Sequence, residues 1–130
     1  MDNNVALAAA SRDSHLALRR IERQQVIIER LYAVRGRRMA FAELAGEFGV
    51  STRTIARDVE RLRFSGVPLS THQGRGGGVS LDAHNAPASI TLDVPEIAAL
   101  MSSLAVLGPT VSQSAGSAIR KLAQALAAGS

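Results

Sequence analysis

Between Phe41 and Phe48 the apolar residues Leu44, Ala45 and Phe48 fall on one side of a short amphipathic helix. Gly49 ends it, because a glycine just past the last periodic residue takes the left-handed conformation cheaply, and Val50 can then drop into the core. Ser51 opens the next helix, its hydroxyl accepting from the free N–H groups of the following turn. Ile55, Val59 and Leu62 share one face of that helix, while at about 100° per residue Arg53 and Arg57 point almost directly away and Arg61 lies on the flank. Upstream, Ser14 to Arg35 predicts a long helix with Ile21, Ile28, Leu31 and Tyr32 on its inner side, preceded by a flexible, frayed, alanine-rich lead-in over residues 1–13 with some helical character. After Gly66 the pattern turns extended. Val67 to Thr71 alternates as a strand, with Pro68 tolerable near a strand start or on an edge, and a glycine-rich turn at Gly74–Gly78 leads into a second strand at Val79, Ser80 and Leu81.

Residues 83–92 read as a linker of small residues. Asp93 and Glu96 have the spacing of a capping box, with Pro95 acceptable in the first turn. The helix they open carries Ile97, Leu100, Met101, Leu104 and Leu107 and stops at Gly108-Pro109; another, Ser114 to Ala127, carries Ala115, Ile119, Leu122 and Leu126. Two such helices hold more apolar surface than they can bury against each other, so they are expected to pack on the first helix or on a second copy of the chain.

Two helices joined by a glycine turn, the second burying aliphatics behind and presenting arginines in front, have the layout of a helix-turn-helix with its recognition helix. Three helices followed by a β-hairpin is the winged-helix order. The predicted fold is therefore mainly α with a small hairpin wing: a winged helix-turn-helix over residues 14–82, followed by a C-terminal two-helix extension over 93–130. Solvated helix faces tend to mix charges at i,i+4 spacing, which stabilises them. Arg53, Arg57 and Arg61 instead form a row of like charge, which favours a polyanion opposite. Arg75, near the hairpin tip, either touches the minor groove or a phosphate, or has no role in a flexible loop. Arginines 19, 20, 23 and 30 of the first helix are expected on a solvated face with Glu22 and Glu29 as partners, the alternative being that one or two touch backbone phosphate. Ala40 stands where a capping Ser or Thr would be expected, so the helix from Phe41 should begin uncapped.

Composition narrows the function classes. At 130 residues the chain has room for one domain or a small domain with an appendage, and with only four aromatic residues its packing must rest on Leu, Ile, Val and Ala. Net charge is +4, but residues 12–75 hold thirteen arginines against seven acids while the remainder comes to −2, so the basic charge is local. Fourteen of the fifteen cationic residues are arginine, whose planar fork suits phosphate and guanine. The lack of cysteine removes disulfides, thiol catalysis and thiolate metal sites. His15, His72 and His84 are too far apart in sequence for a zinc motif, and no nucleophile has an identifiable base, so no enzyme activity, metal or cofactor is expected. The wing glycines do not make a P-loop, since the sole lysine is Lys121, and the third glycine of a dinucleotide fingerprint would fall on Val79. With neither a membrane-spanning run nor a secretory signal, the expected location is the cytoplasm.

The string GVSTRTIARDVERLRFSGVPL, followed by GRGGGVSL, resembles the N-terminal DNA-binding region of bacterial WYL-domain transcriptional regulators, relatives of the DeoR-type repressors. The matching residues are Val50, Ser51, Arg53, Thr54, Ile55, Arg57, Asp58, Leu62, Gly66, Val67, Pro68, Gly77 and Gly78. The resemblance implies that Arg53, Thr54 and Arg57 contact DNA and that Asp58 braces the motif by pairing with a nearby arginine. Ala56 and Val79 depart from it, standing where relatives carry aromatics. Phe64 falls on the polar side of its helix, where it would cover the hairpin or a partner subunit. In the resembling family the C-terminal region joins an effector-sensing WYL domain. This chain stops before one could begin, as a natural short form or a piece of a longer protein would.

Two readings follow. The first is a sequence-specific, double-stranded-DNA-binding transcription regulator, dimeric through its C-terminal helices, with DNA contacts at Ser51, Thr52, Arg53, Thr54, Arg57, Arg61 and Arg75. It involves no membrane, and no small-molecule effector is expected within this chain. The second is a protein-interaction module in which the arginines match an acidic surface.

Overall fold

The computed structural model describes residues 2–75, 77–82, 87–107 and 112–129. The chain divides into two compact units, Met1–Asn85 and Ala86–Ser130. The first holds α1 (Asp2–Ala33), α2 (Phe41–Phe48), α3 (Thr52–Phe64), β1 (Leu69–His72) and β2 (Gly78–Leu81), and the second holds α4 (Val94–Leu107) and α5 (Gln113–Ala128). This is the predicted architecture: mostly helical, with a small antiparallel hairpin after the third helix and two further helices at the C-terminal end.

One apolar cluster organises the first unit. Ile27 and Leu31 of α1, Leu44 and Ala45 of α2, Ile55, Val59 and Leu62 of α3, and Met39, Leu69, Val79 and Leu81 around the hairpin are all buried, with Phe41, Phe48, Val50 and Val67 packed against them. Each helix contributes residues three or four apart, the spacing that stacks side chains on one face. Gly49 closes α2 at φ 65°, and its N–H bonds to the Ala45 carbonyl. Ser51 starts α3 by accepting from the Thr54 N–H at 3.1 Å. At its far end the N–H groups of Gly66 and Val67 return to the carbonyls of Arg63 and Leu62, at 3.0 and 3.1 Å, the paired bonds of a Schellman turn, while Val67 packs on the core that includes Leu62. Ala40 is extended and makes no side-chain cap, as its methyl requires.

The hairpin pairs Leu69 with Leu81 and Thr71 with Val79, and the face carrying Leu69, Leu81 and Val79 is turned to the core. Its other edge is also used. Met39 and Val79 exchange both backbone bonds, at 2.8 and 2.9 Å, so the segment before α2 adds a single rung to β2. That contact explains Gly78, where an added Cβ would stand 2.1 Å from the Met39 carbonyl oxygen. The neighbouring Gly77 is similarly crowded, with the His72 carbonyl oxygen 2.6 Å from where a Cβ would be.

Two expectations about α1 are corrected. The helix begins at Asp2, not Ser14, so residues predicted as a flexible lead-in belong to it. Its inner seam runs through Ile27 and Leu31, which are fully buried, whereas Tyr32 is half exposed. Tyr32 lies about 100° round the helix from Leu31, and a seam centred on Ile27 and Leu31 carries it outward.

In the second unit α4 and α5 pack together. The predicted capping box closes α4: the Glu96 N–H donates to Asp93 Oδ1 and the Asp93 N–H donates to Glu96 Oε1, both at 2.9 Å. Ser112 caps α5 by accepting from the Ala115 N–H at 3.0 Å. Ile97 and Ala115 are buried, while Val94, Leu100 and Val106 remain exposed. Residues 83–86 of the expected linker and the Gly108-Pro109 stop lie outside the described residues.

Candidate nucleic-acid interface

The site is the face of α3 opposite its buried side. Ile55, Val59 and Asp58 are fully buried and Leu62 nearly so. Because those residues fix the helix against the core, the positions on the far side are held outward, where Arg53 and Arg57 are exposed. Neither makes an ion pair or a hydrogen bond with another described residue. Thr52 is exposed in the first turn and Thr54 half-buried beside it. The hydroxyls of Ser51 and Thr54 lie 3.0 Å apart, so the capping serine is engaged within its own turn and the two oxygens present one shared polar point.

Arg61 differs from the other two arginines of the row. Its Nη1 lies 3.7 Å from Asp58 Oδ1, which draws it toward the buried carboxylate. Arg63 is taken up by Glu60 at 2.8 Å. Arg75 is exposed at the hairpin end. Of the predicted site residues, the structure therefore gathers Ser51, Thr52, Arg53, Thr54 and Arg57 on or beside one helix face. It places Arg61 on the flank with a carboxylate partner, and Arg75 on the separate hairpin.

Asp58 is the buried charge behind this face. Arg23 of α1 grips it with both Nε and Nη2, the latter 3.1 Å from Oδ1, and Gln24 donates to the same oxygen at 3.2 Å. Every polar side-chain atom buried among the described residues has a partner. The expected brace is present, and its arginine comes from the first helix. This corrects the reading of Arg23 and Arg30 as members of a solvated row partnered by Glu22 and Glu29. Arg23 joins α1 to α3, and Arg30 joins α1 to α2 through Glu47, with Nη2 2.8 Å from Oε1. Both partners lie far along the chain, so helix spacing alone could not reveal them. Of the two expected roles of Phe64, the structure removes the hairpin: at 96% exposure the ring covers neither it nor any other described part of the chain.

Residues 23–79 match the family model for an HTH domain. The fold of this segment, α2 and α3 joined by a tight turn and followed by a hairpin, is that of a winged helix-turn-helix. The matched residues include both Arg23, which grips Asp58, and Val79, which closes the rung with Met39. Over 40 residues the chain is 52% identical to YobV of Bacillus subtilis (strain 168), described as an uncharacterized HTH-type transcriptional regulator; the match covers 31% of this chain and 13% of that protein. No solved structure matches the chain. Among the described residues no group of three or more His, Asp or Glu side chains is placed to hold a metal ion, and no helix is long and apolar enough to cross a membrane.

Proposed function

We propose that this chain acts as a sequence-specific, double-stranded-DNA-binding transcription regulator. The recognition helix, residues 51–64, enters the major groove, and the wing, residues 67–81, lies alongside. The observation that carries this reading is the pair Arg53 and Arg57, exposed and without a partner among the described residues, on a helix whose opposite side is buried. Leaving guanidinium groups of one sign side by side is unfavourable for an isolated helix, and a duplex supplies both phosphate oxygens and the guanine O6/N7 edge that a bidentate arginine fits. Ser51, Thr52 and Thr54 cluster at the helix start, where short polar side chains and free N–H groups suit backbone phosphate. Arg75 reaches the flanking backbone from the wing, and Arg61 contributes from the edge of the row when it swings away from Asp58. The name of the YobV protein and the sequence resemblance to WYL-domain, DeoR-like regulators point the same way.

The C-terminal helices, with Val94, Leu100 and Val106 exposed, are assigned to homodimer formation. Neither a catalytic role nor a cofactor is part of this reading. The location that fits it is the bacterial cytoplasm, at the nucleoid when bound. The deciding experiment is a titration of labelled duplex at two ionic strengths, with the preferred site obtained by selection from a random pool. Several phosphate contacts predict a loss of affinity by orders of magnitude over a roughly fourfold rise in salt. A protein-interaction module would show weak, sequence-indifferent binding that yields no enriched site.

A further inference from the structure

Phe64 is the last residue of α3 and is 96% exposed. Aromatic rings are among the largest apolar surfaces a side chain can bury, and among the described residues nothing buries this one. The ring does not sit on a frayed end, because the turn formed by Gly66 and Val67 on the carbonyls of Arg63 and Leu62 fixes the last residues of the helix. Its neighbour Arg63 is held by Glu60. Seven residues beyond Arg57, Phe64 lies only about 20° round the helix from it and about 10 Å further along the axis. It therefore extends the face on which Arg53 and Arg57 stand, opposite Ile55, Val59 and Leu62.

We propose that Phe64 is a specificity-determining residue of the duplex interface, packing against the C5-methyl group of a thymine within about three base pairs of the base that Arg57 reads. This rests on the DNA-binding reading above. That 10 Å of helix spans at most about three base pairs, because bases rise by about 3.4 Å each along the duplex axis and the inclined groove runs further per base pair. The ring has no donor or acceptor to offer a phosphate or a polar base edge, and the thymine methyl is the apolar group that the major groove displays. Charge argues for a duplex as the occupant. A second copy meeting this face symmetrically would set Arg53 and Arg57 against their own counterparts, like charge facing like, whereas a duplex brings phosphates.

The test compares the unaltered chain with Phe64→Ala, first by selection from a random duplex pool and then by titration of the selected site with thymine or deoxyuridine at the implicated position. Deoxyuridine removes only the methyl group. The unaltered chain should enrich thymine at that position and bind the deoxyuridine duplex about fourfold more weakly, the loss of one buried methyl. Phe64→Ala should lose the thymine preference there, keep the preference at the Arg57 position, and bind both duplexes equally. The proposal is overturned if Phe64→Ala retains the full site preference, if its affinity falls equally for every sequence, or if deoxyuridine changes nothing. It is likewise overturned if Phe64→Ala dissociates a dimer in sedimentation without DNA, which would assign the ring to a second copy. If the unaltered chain bound no duplex at low salt, the DNA-binding reading itself would fail, an outcome distinct from all of these. Because the ring is exposed, thermal unfolding should be little changed by the substitution, so any altered preference reads the interface.

Discussion

Asp58 carries a carboxylate into the interior of the helix-turn-helix domain, where it survives because Arg23 and Gln24 satisfy it from α1 and Arg61 stands nearby on α3. Removing one member of a buried charge pair leaves the other without compensation, so Asp58→Ala should lower stability by about 3–5 kcal/mol, measured by urea unfolding. Adding Arg23→Ala to that background should cost far less than Arg23→Ala alone; independent, additive effects would show that the clamp does not act as a unit. Arg57 is the opposite case, an exposed charge with no partner among the described residues. Arg57→Ala should leave folding intact and cost about 1–3 kcal/mol of discrimination at one base position. An equal loss of affinity for every sequence would make Arg57 a phosphate contact instead.

Helix α3 is set at both ends by local chemistry, the Ser51 cap and the Gly66–Val67 turn, and its orientation is fixed by tertiary contacts to α1 and α2. The wing is less self-sufficient. Two short strands are marginal alone, and β2 is secured by the rung with Met39 as well as by core contacts from Leu69, Val79 and Leu81. The rung needs Gly78, because a Cβ there would collide with the Met39 carbonyl, which is backbone and cannot rotate away as a side chain can. Gly78→Ala should therefore destabilise the domain by about 1–3 kcal/mol, the range for forced overpacking. It should also raise hydrogen exchange at the Met39 and Val79 amides ahead of those in α3. Unchanged protection at those two amides would mean that the rung adds nothing to the wing.

At the scale of the molecule, the arginines concentrate in the first unit, whereas exposed large apolar residues occur in both, with Leu16, Tyr32 and Phe64 in the first. Thirteen arginines fall within residues 12–75, while Val94, Leu100 and Val106 stand exposed on α4 of the second unit. Leu100→Asp, placing a charge on the proposed dimer surface, should shift sedimentation toward the monomer and weaken binding to a two-half-site duplex, with single half-site affinity left nearly unchanged. A mutant that sediments like the unaltered chain would remove α4 from the dimer proposal.

What the amino-acid sequence determined by itself was everything carried by short-range periodicity and turn chemistry. The two motif helices and the glycine between them, the serine cap, the capping box at Asp93 and Glu96, the hairpin and the outward face of Arg53 and Arg57 all depend on residues within a turn or two of one another. Tertiary structure alone decided which arginines were free. Arg23, Arg30, Arg53 and Arg57 look alike in sequence, yet the first two are neutralised by Asp58 and Glu47, which reach them only when the helices pack. It also decided that Ile27 rather than Tyr32 faces inward, that Met39 joins the wing, and that Phe64 is left uncovered. The physical reason is common to all four. Periodicity sets the angle of a side chain about its own helix or strand, whereas the partner it meets is set by elements distant in the chain.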